Sequence, residues 1–242
     1  METIQSKNNP LIKELTKLKQ KKYRKLLGQM MVEGERNVKE LVSRHADILY
    51  IFYKEVPLKV ECKQIQCDGE VLAALSQTVT TPDYIAVVKI PSMVFKPPST
   101  NFLVLENVAD PGNLGTLIRT ALAFDFKTIY MINCVDATND KVVRASMGNF
   151  WDVDLVECNL SQIEELSKKF NLIVADMAGQ SLENVRCDKK PFGIVLGNEA
   201  NGVSEKMKAL AKLKVAVRMK NNVESLNVAV AGAIIMNYFK GD

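Results

Sequence analysis

Whatever chemistry this chain performs must come from an unusual set of side chains. Among its 242 residues the only histidine is His45, and the five cysteines (Cys62, Cys67, Cys134, Cys158 and Cys187) are scattered without a C-x-x-C pair. A zinc site needs clustered Cys and His ligands, and a nucleophilic triad needs a histidine near its nucleophile. Neither pattern is written here, so no metal is expected. Three polar, glycine-bearing stretches stand out instead: "ENVADPGNLGTLIRTALAF", "IVLGNEANGVSEKM" and "KVAVRMKNNVESLNVAVAGAIIMNYF". They suit a reaction in which a bound ligand brings the electrophile and the protein supplies positioning.

In the first stretch, Pro111 and Gly112 break a strand, Asn113 is a good N-cap, and Leu114, Leu117, Ile118 and Ala121 form the inward face of a helix. At roughly 100° per residue, Arg119 points away from that face and shares its side with Gly112 and Thr116. In the second, a strand ends at Gly197, where a ligand can approach the backbone. Glu199 follows as an orienting acceptor, and Ser204 caps a helix. In the third, Ser225 caps a helix rich in small residues, with Asn227 in its first turn. Each stretch alone reads equally well as an ordinary strand, turn and helix. The G-x-G-x-x-G dinucleotide fingerprint and the P-loop are both absent.

The elements that position these residues form an α/β pattern in two parts. Residues 1–95 open with a basic amphipathic helix whose apolar positions include Leu11, Ile12, Leu15, Leu18 and Leu26. Alternating short strands and helices follow, making a small α/β module. "PSMVFKPPST" (91–100) carries three prolines and reads as a linker. From there to residue 242, apolar strands at "FLVLENV", "TIYMINC", "VDLVE", "NLIVAD", "FGIVLG" and "KVAVRM" alternate with helices near 113–124, 140–147, 161–169, 204–211 and 226–239. Such alternation predicts a parallel, doubly wound sheet with its ligand site at the carboxyl ends of the strands.

Composition narrows the partners. The 47% hydrophobic content is that of an ordinary globular chain. The longest apolar run, around "LNVAVAGAIIM", is too short to cross a bilayer, and the start lacks a leader-like apolar core. A cytoplasmic protein without membrane attachment is expected. Net charge is only +4, but Lys7, Lys13, Lys17, Lys19, Lys21, Lys22, Arg24 and Lys25 crowd one segment against Glu14 alone. A cationic run of this kind can neutralise phosphates, which favours a nucleic-acid partner.

Taken in order, N-x-x-D-P-x-N-x-G-x-x-x-R-T-A, V-L-G-N-E-x-x-G-V-S and S-L-N-V-A-V-A resemble the three motifs of the SpoU family, RNA ribose 2'-O-methyltransferases of the SPOUT superfamily. "DKVVRASMGNFWDVDLVE" (140–157) is similar to the segment between the first two motifs in the ribosomal-RNA members. "KNNPLIKELTKLKQKKYR" and "MVEGERNV" resemble their small N-terminal RNA-binding domain. One departure is Tyr84, where relatives often carry glycine; it lies outside the catalytic motifs.

The linker puts a domain boundary near 95/96; the resemblance implies a deep trefoil knot in the C-terminal domain and a homodimer. It implies S-adenosylmethionine as cofactor, bound mainly through backbone at Gly197, Val217 and Leu226. It places the catalytic group at Asn113, Arg119, Glu199, Ser225 and Asn227 and makes 23S ribosomal RNA the expected substrate. A tRNA ribose methyltransferase, an rRNA methyltransferase conferring antibiotic resistance, and a non-catalytic RNA-binding assembly protein are the alternatives. The proton acceptor stays open.

Overall fold

The computed structural model describes residues 2–187, 191–198, 200–221 and 224–240. Backbone contacts divide the chain into two compact units: 1–91 together with 138–151, and 92–137 together with 152–242. The stretch 138–151, which the sequence pattern groups with the second half, therefore lies in the first unit.

The first unit holds β1 (Glu2–Ile4), α1 (Pro10–Thr16), a 3₁₀ turn (Lys17–Lys19), α2 (Lys21–Leu27), β2 (Gln29–Glu33), α3 (Glu35–Ser43), β3 (Ile48–Tyr53), β4 (Gln64–Cys67), α4 (Gly69–Leu75) and β5 (Tyr84–Lys89). Its sheet runs β1-β4-β3-β5-β2; β1, β4 and β3 are parallel, and β5 is antiparallel to both β3 and β2. Asn9 caps α1 by accepting the Leu11 N–H at 2.9 Å, with Pro10 in the first turn where its missing N–H costs nothing. Ile12, Leu15 and Leu18 then join Phe52, Ile65 and Leu75 in the core.

The single basic helix expected over this region is broken. Gln20 is extended (φ −98°, ψ 132°), which shifts the helical phase of everything after it. Leu26, expected on the apolar face, is consequently 71% exposed. The buried residue of α2 is instead Arg24, only 6% exposed. Its Nη1 donates to the carbonyls of Leu18 and Lys19, both at 2.9 Å, and its Nε donates to Thr138 Oγ1 at 2.9 Å.

The second unit holds β6 (Phe102–Glu106), α5 (Pro111–Ala123), β7 (Thr128–Ile132), β8 (Asp154–Glu157), α7 (Leu160–Ser167), β9 (Asn171–Ser181), β10 (Phe192–Leu196), α8 (Glu205–Leu210), β11 (Leu213–Ala216) and α9 (Val228–Phe239). Between β7 and β8 the chain contributes α6 (Asp140–Ala145) and a 3₁₀ turn (Asn149–Trp151) to the first unit. The six strands are ordered β11-β9-β10-β6-β7-β8 and every pairing is parallel, as the alternating pattern predicts. β6, β7, β10 and the Leu172–Val174 stretch of β9 are buried because helices cover both faces. Phe102 meets Tyr130 and Phe170 edge to face at 5.5 and 5.6 Å in this core. The linker is tied to this unit, since the Lys96 carbonyl accepts the Tyr130 hydroxyl at 2.6 Å.

β9 runs well past the expected "NLIVAD". After a register shift its last residues pair with Val215 and Ala216 of β11. The order also reverses: β6, β7 and β8 step outward on one side, then the chain crosses to the other side for β9, β10 and β11. The carboxyl ends of β6 and β10 flank that switch point, the crevice where open α/β sheets bind ligands.

Candidate active site

Glu106, the last residue of β6, is only 7% exposed. Its carboxylate accepts the Ser204 N–H at 2.8 Å and the Ser204 Oγ–H at 2.7 Å. Ser204 is the N-cap of α8, as expected, so the end of β6 holds the start of that helix. A second tie runs beside it: Asn198 Nδ2 donates to the Asn107 carbonyl at 3.1 Å. Asn198 also shapes its own loop. Its Oδ1 accepts the Ala200 N–H at 2.9 Å and its carbonyl accepts the Gly202 N–H at 2.8 Å. Gly197 is required by this folding-back, because a Cβ there would lie 2.2 Å from the Gly202 carbonyl carbon.

These ties form one wall of a cavity of about 510 Å³, a volume ordinary for a small-molecule site. Leu196, Val203, Val215 and Ile235 line its apolar side. Gly197, Val217 and Leu226, the three residues expected to hold a cofactor, all line it, and so does Ser225. Asp176 and Lys208, which sequence reasoning passed over, pair at 2.9 Å on the same lining.

The capping assignments need correction. Asp110, not Asn113, is the N-cap of α5, its Oδ1 accepting the Asn113 N–H at 2.8 Å. Asn227, not Ser225, caps α9, accepting the N–H groups of Ala229 and Val230 at 2.9 and 3.3 Å. Asn227 Nδ2 donates to Asn113 Oδ1 at 2.8 Å, joining the starts of α5 and α9. Ser225 is exposed two residues upstream. Arg119 is exposed on α5, about 9 Å along the axis from Asn113 at 1.5 Å per residue. Among the described residues it makes no hydrogen bond or ion pair. Glu199 lies outside the described residues.

Asn113 and Asn227 are thus brought together, the cofactor trio shares one cavity, and Arg119 stands apart. Glu106 and Asn198, which hold the loops in place, are the residues that sequence reasoning missed. Glu106 gave a faint signal, as a carboxylate ending an otherwise apolar strand. Cys62, Cys67, Cys134 and Cys158 are free thiols. Burial pushes Cys134 up to about 11 and Cys158 up to about 12, so both are protonated at neutral pH. Among the described residues no three of His, Cys, Asp and Glu converge.

The switch-point site and its cavity define a class that family comparison names. Residues 100–237 match the SpoU rRNA Methylase family, and residues 9–86 match the MRM3-like substrate binding domain. The chain belongs to the SpoU rRNA methylase family. The 23S rRNA (guanosine(2553)-2'-O)-methyltransferase RlmP of Bacillus subtilis is 30% identical over the whole of both chains. An uncharacterized tRNA/rRNA methyltransferase of Synechocystis is 31% identical, the match taking in 97% of this chain and 92% of that one. A TrmH-family structure from Porphyromonas gingivalis superposes with a TM-score of 0.87 at 26% identity, covering 96% of this chain and 97% of its own. An AdoMet-bound rRNA methyltransferase from Sinorhizobium meliloti shares the fold, with a TM-score of 0.87 at 22% identity and coverage of 98% and 96%.

Proposed function

We propose that this protein is an S-adenosylmethionine-dependent methyltransferase acting on a ribose 2'-hydroxyl in 23S ribosomal RNA, in the cytoplasm and as a homodimer. The observation that carries the reading is the cavity at the switch point of a SpoU-family domain, lined by Leu226 and Val228, the chain neighbours of the Asn227 that pairs with Asn113. The cavity suits the cofactor chemically: an apolar side for an aromatic base, and loop backbone brought close at Gly197 to read its polar edge. S-adenosylmethionine supplies a methyl group already activated by its sulfonium charge.

The protein's part is then alignment and charge stabilisation. Asn113 and Asn227 fix each other and orient the ribose. Ser225, on the cavity edge, adds a hydroxyl to the same task. Arg119 is a cation under no other obligation among the described residues, free to take the phosphate beside the target ribose and stabilise the alkoxide as it develops. It is not the base, because a guanidinium keeps its protons in proteins. Glu199 keeps in this proposal the role of orienting acceptor that its sequence motif assigns it.

RNA is held by the first unit. Lys7, Lys13, Lys17, Lys21, Lys22 and Lys25 are exposed. The ammonium groups of Lys17 and Lys22 lie 5.7 and 5.9 Å from the Tyr23 ring centroid, a basic surface with an aromatic among the cations. For the trefoil knot, the support is the path from β10 inside the sheet to β11 at its edge and back to α9, which packs on α5. For the dimer it is Val230 and Ile234, 49% and 39% exposed and four residues apart on an otherwise apolar helix.

The deciding experiment maps 2'-O-methyl groups in total RNA from cells with and without the gene. Loss of one 23S ribose methyl is the expected result. A loss confined to tRNA would replace the substrate, and no loss at all would favour the assembly-protein alternative.

A further inference from the structure

Residues 138–151 leave the second unit after β7 and return to it before β8, yet they pack in the first. The packing is built, not incidental. Val142, Val143, Ser146 and Phe150 are at most 3% exposed, and α6 lies against β2. Thr138 is buried and accepts the Arg24 Nε–H at 2.9 Å. Gly148 sits at φ +84°, where a Cβ would come within 3.2 Å of the Glu40 side chain. Burial holds the Asp140 carboxyl above its ordinary value, with the Glu33 charge adding to the rise and Arg144 and Arg24 opposing it. Three separate stretches of chain therefore meet around α6.

A linker such as 91–100 alone would leave the first unit on a tether, at an effective concentration set by linker length. A buried segment entered and left by the other unit's own chain does more. We infer that residues 138–151 are a strap through which the methylase domain grips the substrate-binding unit, and that Thr138 and Val142 are positioning residues for the RNA. The strap stands on the packing alone; its effect on RNA rests on the function proposed above.

The test uses the full chain with a protease recognition sequence inserted between Ser92 and Met93. After cleavage the two pieces should co-elute on size exclusion at micromolar concentration. Pieces that part immediately would overturn the strap. Val142→Asp buries an unpaired carboxylate and should weaken the association by at least about a hundredfold. Thr138→Val keeps the shape, strands one Arg24 N–H, and should weaken it by about tenfold. Co-elution indifferent to both variants would mean that something other than the strap holds the pieces.

In the uncut protein the same variants should raise KM for RNA. They should leave kcat at saturating RNA within about twofold and calorimetric affinity for S-adenosylmethionine unchanged. General destabilisation would instead reduce the active fraction and with it kcat. An unmoved RNA KM in a variant whose cut pieces separate would overturn the positioning role. A wild-type protein that methylates no RNA would refute the proposed function while the elution result still decides the strap.

Discussion

The two units share one device and use it differently. Glu33 ends β2 and Glu106 ends β6; each carboxylate is buried, 4% and 7% exposed. Each is satisfied by a distant loop. Glu33 accepts the Ser76 Oγ–H at 2.6 Å, the Gln77 N–H at 2.8 Å and the Thr78 Oγ1–H at 3.1 Å, as Glu106 does Ser204. A buried carboxylate is tolerable only when donors surround it, and charge-assisted bonds then pin the loop that carries them. In the mixed sheet of the first unit the pinned loop only closes the fold. In the parallel sheet the same anchor sits at the switch point, so the loop it pins becomes a cavity wall. Topology, not the anchor, decides which carboxylate matters to function.

The strongest way to break that comparison is to remove both anchors. Glu106→Ala and Glu33→Ala should each cost about 3 kcal/mol in urea unfolding, because each leaves buried donors without an acceptor. Only Glu106→Ala should lower S-adenosylmethionine affinity by calorimetry. Equal affinity in the two variants would show that the α8 loop holds its shape without its anchor.

Arg119 sharpens the contrast from the other side, as a charge with no anchor among the described residues. Arg119→Ala should slow methyl transfer by at least about a hundredfold, the scale of one lost transition-state donor, with cofactor affinity near wild type. Normal turnover would remove Arg119 from the chemistry.

How far this was legible in the sequence depended on what set each feature. The parallel strands of the second unit were legible because burial on both faces writes itself as uninterrupted apolar runs. Ser204 was legible as a cap because only local spacing decides it. The caps at Asp110 and Asn227 were missed by a few residues, since several polar side chains compete at each helix start and tertiary contact chooses among them. The basic helix was drawn too long because nothing local marks Gln20 as extended. Arg24 looked like one more phosphate contact, and only packing reveals it as a structural pin. Residues 138–151 read as part of the alternating pattern, because sequence order does not say against which sheet a helix packs. The partners of the anchors could not be read for the same reason: Ser76 and Ser204 are far from Glu33 and Glu106 in the chain.

The C-terminal helix allows a finer test. The small residues of α9, Ala229, Ala231, Gly232 and Ala233, are of a kind that lets a second chain approach closely. In the structure a Cβ at Gly232 would lie 2.8 Å from Leu117 Cδ2 and 2.8 Å from Leu196 Cδ1, so the close approach is to the domain's own α5 and β10. Gly232→Leu should therefore overpack the monomer at a cost of about 1–3 kcal/mol, seen as a lower unfolding midpoint at every protein concentration. Ile234→Asp, on the exposed face, should shift light scattering toward monomer at little cost to the fold. Should Gly232→Leu change assembly and Ile234→Asp not, the faces have been assigned the wrong way round.

The smallest effect belongs to Asp176 and Lys208, the charged pair on the cavity lining, which no strand-end burial protects. The Asp176 carboxylate takes the Lys208 ammonium at 2.9 Å and the Ala178 N–H at 2.9 Å. Lys208 chiefly, and that N–H next, hold it below the ordinary carboxylate value. Lys208 is raised in turn by Asp176 and then Glu205. The two side chains are 14% and 20% exposed, so water screens the pair partly and its contribution is small. A depressed carboxylate stabilises the fold above its unfolded value near about 3.9, and that stability is lost as pH falls through the lower folded value. Asp176→Asn should therefore melt below wild type at pH 7, with the gap narrowing steadily once pH drops under about 4 and closing in stronger acid. On the alkaline side, stability tied to Lys208 persists below the unfolded lysine value and fades as pH rises through the higher folded one, so the gap should narrow again there. A gap that stays constant from neutral pH down into strong acid would mean that the asparagine acts through shape alone, and that this pair, unlike the buried anchors, contributes no charge-dependent stability to the wall it lines.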